Sequence, residues 1–154
     1  MITLLEPKHE VPEFEVPKAD HLLIPVDDEE RWESRYAPDM GHVRKIFAFV
    51  RPGARVLVHC EGGISRSTAV GLGLMVFRGM TVDSAMKELL QQRGTVDPNV
   101  IFLQLIDTHL QMGGKFYDEV RAAVKNLPKD LILWCNQCQV YFVDGQNCPG
   151  KHWL

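Results

Sequence analysis

Apolar residues before position 128 form two strand-like runs and several helically spaced sets. Segments 21–26 and 55–59 are rich in valine, leucine and isoleucine, and they predict two β-strands. Apolar residues three and four positions apart predict five helices, at about 39–51, 67–78, 81–93, 98–110 and 116–127. Near the N-terminus, a short apolar run at 2–5 precedes a proline-rich stretch that favours loop or edge strand.

Turn and capping residues support these boundaries. Asp39 and Thr81 are suitable N-caps for two of the helices, and Pro98 stands at the start of a third. The order of a strand, a glycine-bearing loop and then successive helices predicts an α/β fold, a compact sheet flanked by helices. In such folds the functional loop follows the carboxyl end of a strand.

The character of the chain changes near residue 128. Positions 131–154 are rich in β-formers and cysteine, so we divide the chain into a domain at 1–128 and a small β-hairpin subdomain at 129–154. Asp144-Gly145 is a favourable pair for the tight turn of that hairpin.

Composition and charge exclude several classes. The 154 residues are 45% hydrophobic and 24% charged, as in ordinary globular proteins, and the net charge of −3 disfavours nucleic-acid partners and anionic membranes. Apolar runs are too short to span a bilayer, and the N-terminus turns polar too soon for a secretory signal. The cysteines are not spread as a disulfide framework, so we expect a cytoplasmic, reduced protein.

The segment 59–67 carries the strongest chemical signal. Cys60 ends the second predicted strand, a loop with Gly62 and Gly63 follows, and a helix begins six or seven residues later. A loop that curls at a helix N-terminus can bind an anion and stabilise a thiolate. Arg66 can hold phosphate oxygens through two hydrogen bonds, so the segment indicates phosphoryl transfer; the alternative is a buried structural cysteine.

The same segment resembles the active-site signature of the cysteine-dependent protein tyrosine phosphatases, and most narrowly the dual-specificity branch. Residues 59–67 fit its pattern His-Cys-x-x-Gly-x-Ser-Arg-Ser at every fixed position. The sequence at 24–28, Ile-Pro-Val-Asp-Asp, is similar to the family's general-acid loop. A downstream pattern is filled by Arg93, Pro98, Asn99, Phe102, Gln104 and Leu105. The resemblance covers about 21–112.

The resemblance implies a role for each matched residue. Cys60 would be the nucleophile, Ser67 would hydrogen-bond the departing thiolate, and His59 would order the loop. Asp28 would be the general acid, with the adjacent Asp27 as the alternative. Phosphate would be held by the Arg66 side chain and by the loop backbone at Glu61, Gly62, Gly63, Ile64, Ser65 and Arg66. No metal or other cofactor is needed for this chemistry, and the expected substrate is a phosphoprotein.

Two departures from the family bear on the substrate. Few residues precede Asp28, so we expect an abbreviated first part of the sheet and a shallow pocket, which would admit phosphoserine and phosphothreonine as well as phosphotyrosine. The loop has glutamate at position 61 and no lysine, which favours protein over phosphoinositide substrates. Two further hypotheses stay open at this point: a phosphatase for a nucleotide, an RNA 5′ end, a sugar or a phosphoinositide, and a phosphate-binding module without turnover.

The C-terminal cysteines form a separate cluster. Cys135, Cys138, Cys148 and His152 have the spacing Cys-x2-Cys-x9-Cys-x3-His. Such a set predicts a structural zinc knuckle, which is a candidate surface for a protein partner. The competing interpretations are a redox-active Cys135–Cys138 pair and a tail with free thiols.

Overall fold

The computed structural model describes residues 1–93 and 96–127, and the backbone of 132–135 and 140–143. Its strands and helices are β1 (Ile2–Leu5), β2 (Leu22–Pro25), α1 (Met40–Phe49), β3 (Val58–Cys60), α2 (Arg66–Phe77), α3 (Val82–Arg93), α4 (Val100–Leu110), α5 (Lys115–Lys125), β4 (Ile132–Cys135) and β5 (Val140–Val143). The predicted α/β class is therefore confirmed.

A parallel sheet with the strand order β2-β1-β3 lies at the centre. The short run at 2–5, which the sequence pattern did not assign, forms its middle strand and is buried along its whole length. The predicted strand at 55–59 pairs only from Val58, because Val58 lies opposite Ile2, where the ladder with β1 begins. The three strands end at the same edge, which carries the chemistry described below.

Helices α1 and α2 pack against this sheet, and the other helices pack against them or against each other. Helix α2 is buried on most sides and packs against β3, α3 and α4, with Gly73 so close to α4 that a Cβ there would lie 2.7 Å from Ile106 Cγ2. Helix α1 begins at its predicted cap: the Asp39 carboxylate accepts from the His42 N–H at 2.8 Å, and His42 Nδ1 accepts from the Asp39 N–H at 3.1 Å. The Thr81 hydroxyl likewise accepts from the Ser84 N–H at 3.2 Å.

Beyond α5, the described backbone contains one antiparallel pair. Strand β4 pairs with β5, and Cys135 lies opposite Val140. The tight turn predicted at 144–145 would follow β5 and lies outside the described residues. Residues 144–154 lie outside the described residues, as do three of the four predicted zinc ligands, Cys138, Cys148 and His152.

Candidate active site

The loop at 60–66 connects the end of β3 to the start of α2. Gly63 adopts φ +69°, a conformation that residues with a side chain rarely adopt. The Thr68 hydroxyl donates to the carbonyls of Ile64 and Ser65, and the Ile64 carbonyl also accepts from the Asp97 N–H at 3.1 Å. The loop is thus fixed from two sides, by the first turn of α2 and by the segment that precedes α4.

Backbone N–H groups of this loop are free to bind a ligand. In the part of the chain that the structure describes, none of the N–H groups of 61–66 donates to another backbone group. Free N–H groups on a loop at a helix N-terminus favour anion binding. The loop therefore has the donors that the sequence predicted for a phosphate cradle.

Cys60 and Ser67 meet at the base of the loop. The Cys60 thiol is free and 8% exposed, and its Sγ lies 3.2 Å from Ser67 Oγ. Ser67 belongs to the first turn of α2, so the start of that helix carries the hydroxyl to the sulfur. A hydroxyl at this distance can donate to a thiolate and stabilise its charge.

Arg66 lies almost fully buried beside them. Its guanidinium donates from Nη1 to the Val26 carbonyl at 2.8 Å, and the side chain is 3% exposed. Within the described residues its Nε has no hydrogen-bond partner, and the nearest carboxylates, Asp28 and Glu61, lie 3.9 and 3.8 Å from its nitrogens. A buried donor without a partner is costly, so this group is suited to an anionic ligand.

Asp28 is held over the loop. Its Oδ1 accepts from the Ser65 hydroxyl at 2.6 Å and from Asn99 Nδ2 at 3.0 Å. Asp28 and Cys60 line one cavity of about 360 Å³, together with Glu30, Gly62, Ile64, Ser65 and Asp97. Asp27, the alternative acid, is not part of that lining, and its backbone N–H donates to the Tyr36 carbonyl at 2.9 Å.

His59 faces away from this cavity, toward the middle strand. Its Nε2 lies 2.7 Å from the Thr3 hydroxyl, whose oxygen is also 2.8 Å from Nε2 of His21. A single hydroxyl can donate to one imidazole and accept from the other, so the two rings carry opposite roles at Nε2. Burial lowers the pKa of His59 below its usual value, which favours the neutral ring.

Sequence reasoning missed part of this support. Thr3 is completely buried and is the polar residue in an otherwise apolar strand. This contrast was the feature of the sequence that could have indicated a supporting role. Asn99, one of the residues of the downstream pattern, donates to Asp28 and also caps α4, because its Oδ1 accepts from the Phe102 N–H at 3.0 Å. Arg93 lies against the loop: a Cβ on Gly63 would come within 3.2 Å of its Nη1.

In the described part of the chain, no helix is both long enough and apolar enough to cross a membrane.

The predicted metal ligands belong to the C-terminal segment and not to the loop at 60–66. Cys138, Cys148 and His152 lie outside the described residues, and Cys135 is described through its backbone alone.

Known proteins resemble this chain in sequence. Dual specificity protein phosphatase 2 of Homo sapiens is 44% identical over 62 residues, which are 39% of this chain and 20% of the relative. Tyrosine-protein phosphatase yvh1 of Schizosaccharomyces pombe is 29% identical over 102 residues, 65% of this chain and 30% of the relative. The chain thus spans less than a third of the length of these two relatives.

A solved structure and a family model also match. The crystal structure of human DUSP28 matches with a TM-score of 0.49 and 24% identity, over 79% of this chain and 80% of that chain. The model of the dual specificity phosphatase catalytic domain matches residues 3–111, well over half of the chain. The chain belongs to the dual specificity phosphatase catalytic-domain family.

Proposed function

We propose that this protein hydrolyses phosphate monoesters on proteins through a phosphocysteine intermediate. The observation that carries the proposal concerns the described residues around one loop: a buried thiol, an Arg66 Nε without a hydrogen-bond partner, and the N–H groups of 61–66, which donate to no other backbone group. These groups supply a nucleophile and the donors that phosphate oxygens require. The family match and the named relatives favour phosphoprotein substrates.

In the first step, the Cys60 thiolate attacks phosphorus and the bond from phosphorus to the leaving oxygen breaks. Arg66 and the loop N–H groups hold the non-bridging oxygens. Asp28 donates its proton to the leaving oxygen, so the dephosphorylated hydroxyl departs neutral. Support for this choice of acid comes from the cavity that Asp28 shares with Cys60.

In the second step, water attacks phosphorus and the bond from phosphorus to sulfur breaks. The Asp28 carboxylate accepts the proton of that water, and inorganic phosphate forms. Ser67 donates to the sulfur as it regains negative charge, a role supported by the 3.2 Å separation of Sγ and Oγ. His59 positions the loop through its contact with Thr3 of the middle strand.

The activity test uses two aryl phosphates, one with a good and one with a poor leaving group, with EDTA and reductant present. We expect wild-type turnover of both, and none in Cys60→Ser. Asp28→Asn should lose much more rate on the poor leaving group, because only that one needs a proton during departure. Asp27→Asn is the matched control and should behave as wild type. Activity that persists in Cys60→Ser would overturn the proposal.

We also propose a structural zinc ion held by Cys135, Cys138, Cys148 and His152. The support is the ligand spacing, together with the antiparallel strand pair on which Cys135 lies. Elemental analysis of purified protein should give one zinc per chain, lost in Cys138→Ser. A Cys135–Cys138 disulfide in the native protein would contradict this.

We further infer that the enzyme works in a reducing, intracellular compartment, since Cys60 must remain a thiol to react.

A further inference from the structure

A second cavity opens beside the phosphate cradle. Its volume is about 540 Å³, and it shares Cys60 with the smaller cavity that contains Asp28. One wall is built by the segment 6–17, which follows β1. The lining residues are Leu5, His9, Glu10, Pro12, Phe14, His59, Cys60 and Glu61. A substrate with its phosphate in the cradle would therefore have a neighbouring part directly at this cavity.

The wall is fixed by contacts with the catalytic loop and the sheet. The ring of Phe14 packs edge-on against His59, with centroids 5.1 Å apart, and against His21 at 5.6 Å. His9 Nδ1 lies 3.5 Å from the Glu61 carboxylate. The cavity is thus bounded by packed side chains that also support the loop.

The chemistry of the lining combines apolar and acidic groups. Leu5, Pro12 and Phe14 provide an apolar surface, and Glu10 and Glu61 provide carboxylates. The smaller cavity adds three more, from Asp28, Glu30 and Asp97. Among the described residues that line the two cavities, none is a lysine or an arginine.

Basic side chains pair with some of these carboxylates. Arg66 lies 3.9 Å from Asp28 and 3.8 Å from Glu61, and Arg121 lies 3.6 Å from Asp97. Glu10 and Glu30 have no ion pair among the described residues, and the nearby Lys8 pairs with Glu6 at 2.6 Å. The carboxylates around the phosphate site, above all those of Glu10 and Glu30, would repel a second phosphate or an acidic neighbour of the phosphorylated residue. They would attract a cation at the same place, within a range of about 8 Å at physiological salt.

We propose that the 540 Å³ cavity binds a lysine or arginine side chain next to the phosphorylated residue of the substrate. The inference rests on the proposed phosphatase function and deepens it: the substrates are phosphoproteins in which basic residues flank the phosphorylated position. The aliphatic stem lies along Leu5, Pro12 and Phe14, while the charged head reaches the exposed carboxylate of Glu10.

The test compares phosphotyrosine peptides that differ at a single position, with arginine, glutamine or glutamate directly before or directly after the phosphorylated residue. We expect wild-type kcat/KM to be about tenfold higher for arginine than for glutamate on one flank, and the difference to shrink as salt is added. Glu10→Gln should reduce that ratio about threefold, the size of one exposed ion pair.

Glu13→Gln is the matched control, because Glu13 lies on the same segment, is exposed and does not line the cavity. It should keep the wild-type ratio. Equal kcat/KM for the arginine and glutamate peptides, or an unchanged ratio in Glu10→Gln, would overturn the proposal.

A binding measurement tests this inference independently of catalysis. The affinities of the same peptides for Cys60→Ser, measured by fluorescence anisotropy, report the flank preference without turnover. A preference for arginine in binding, without any hydrolysis by wild type, would support the cavity and refute the phosphatase function. Hydrolysis without any flank preference would support the phosphatase function and refute the proposed role of the cavity.

Discussion

The side-chain amide of Asn99 donates to the Asp28 carboxylate at 3.0 Å, across 71 positions of sequence. The same amide donates to the Glu29 carbonyl at 2.9 Å, while Asn99 Oδ1 caps α4. One residue therefore fixes both the start of a helix and the loop that carries the proposed general acid. The position of Asp28 over the cradle depends on this link and on Ser65.

Asn99→Asp tests the link. Aspartate keeps the cap, since its carboxylate can accept from Phe102, but it cannot donate to Asp28 and repels it. Asn99 is almost fully buried, and the new carboxylate would face Asp28 and the Glu29 carbonyl, so we expect a loss of stability of about 1–3 kcal/mol. We also expect kcat on a poor leaving group to fall about tenfold or more, part of the roughly 10²–10⁴ that general acid catalysis contributes. In an Asp28→Asn background the same change should not lower kcat any further. An equal fall in kcat there would contradict the link.

Two glycines of α2 offer a matched pair of stability variants. Gly73→Ala would place a Cβ 2.7 Å from Ile106 Cγ2, so α2 and α4 must separate, and we expect a loss of about 1–3 kcal/mol. Gly71→Ala meets nothing within 4 Å and should stabilise the chain by about 0.5–1 kcal/mol. Urea unfolding measures both. Equal effects of the two substitutions would contradict the close approach of α2 and α4.

Thr3 connects the middle strand to the histidine beside the nucleophile. Thr3→Val removes the hydroxyl and leaves two imidazole nitrogens without their partner, at a cost of about 1–3 kcal/mol. Thr3→Ser keeps the hydroxyl and should lose only about 0.8 kcal/mol for the missing methyl group. The free energies of unfolding in urea compare them, and a valine variant as stable as the serine variant would show that the hydroxyl has no such role.

Stability should fall as the pH decreases below 6.5. Burial lowers the pKa of His42 and of His59 below their usual value of 6.5, so the unfolded chain binds more protons than the folded chain in this range. Protonation of His42 at Nδ1 would also remove the acceptor of its capping box. We expect His42→Gln, which keeps an acceptor without titrating, to lose less stability than wild type between about pH 7.5 and 5.5. A loss as large as that of wild type would contradict this.

The local sequence was sufficient to predict the catalytic loop, but not the middle strand and the tertiary contacts that support the loop. Residues 59–67 combine a strand end, glycines, a thiol and an arginine, and that chemistry can be recognised without a structure. The strand at 2–5 was not assigned because a short strand buried on both faces has no alternating pattern. The contact between Asn99 and Asp28, and the His59–Thr3–His21 chain, arise from tertiary packing that no local spacing encodes.

The central claim is that phosphate passes through the Cys60 sulfur. The most direct measurement is the intact mass of enzyme quenched in acid during turnover of an aryl phosphate with a good leaving group, followed by peptide mapping. Ser67→Ala, in which breakdown of the intermediate should slow, is run beside wild type. We predict one added phosphoryl group on Cys60, with more of it in Ser67→Ala. Turnover with no phosphoryl group on Cys60 in either protein, or with the group on another residue, would contradict the account.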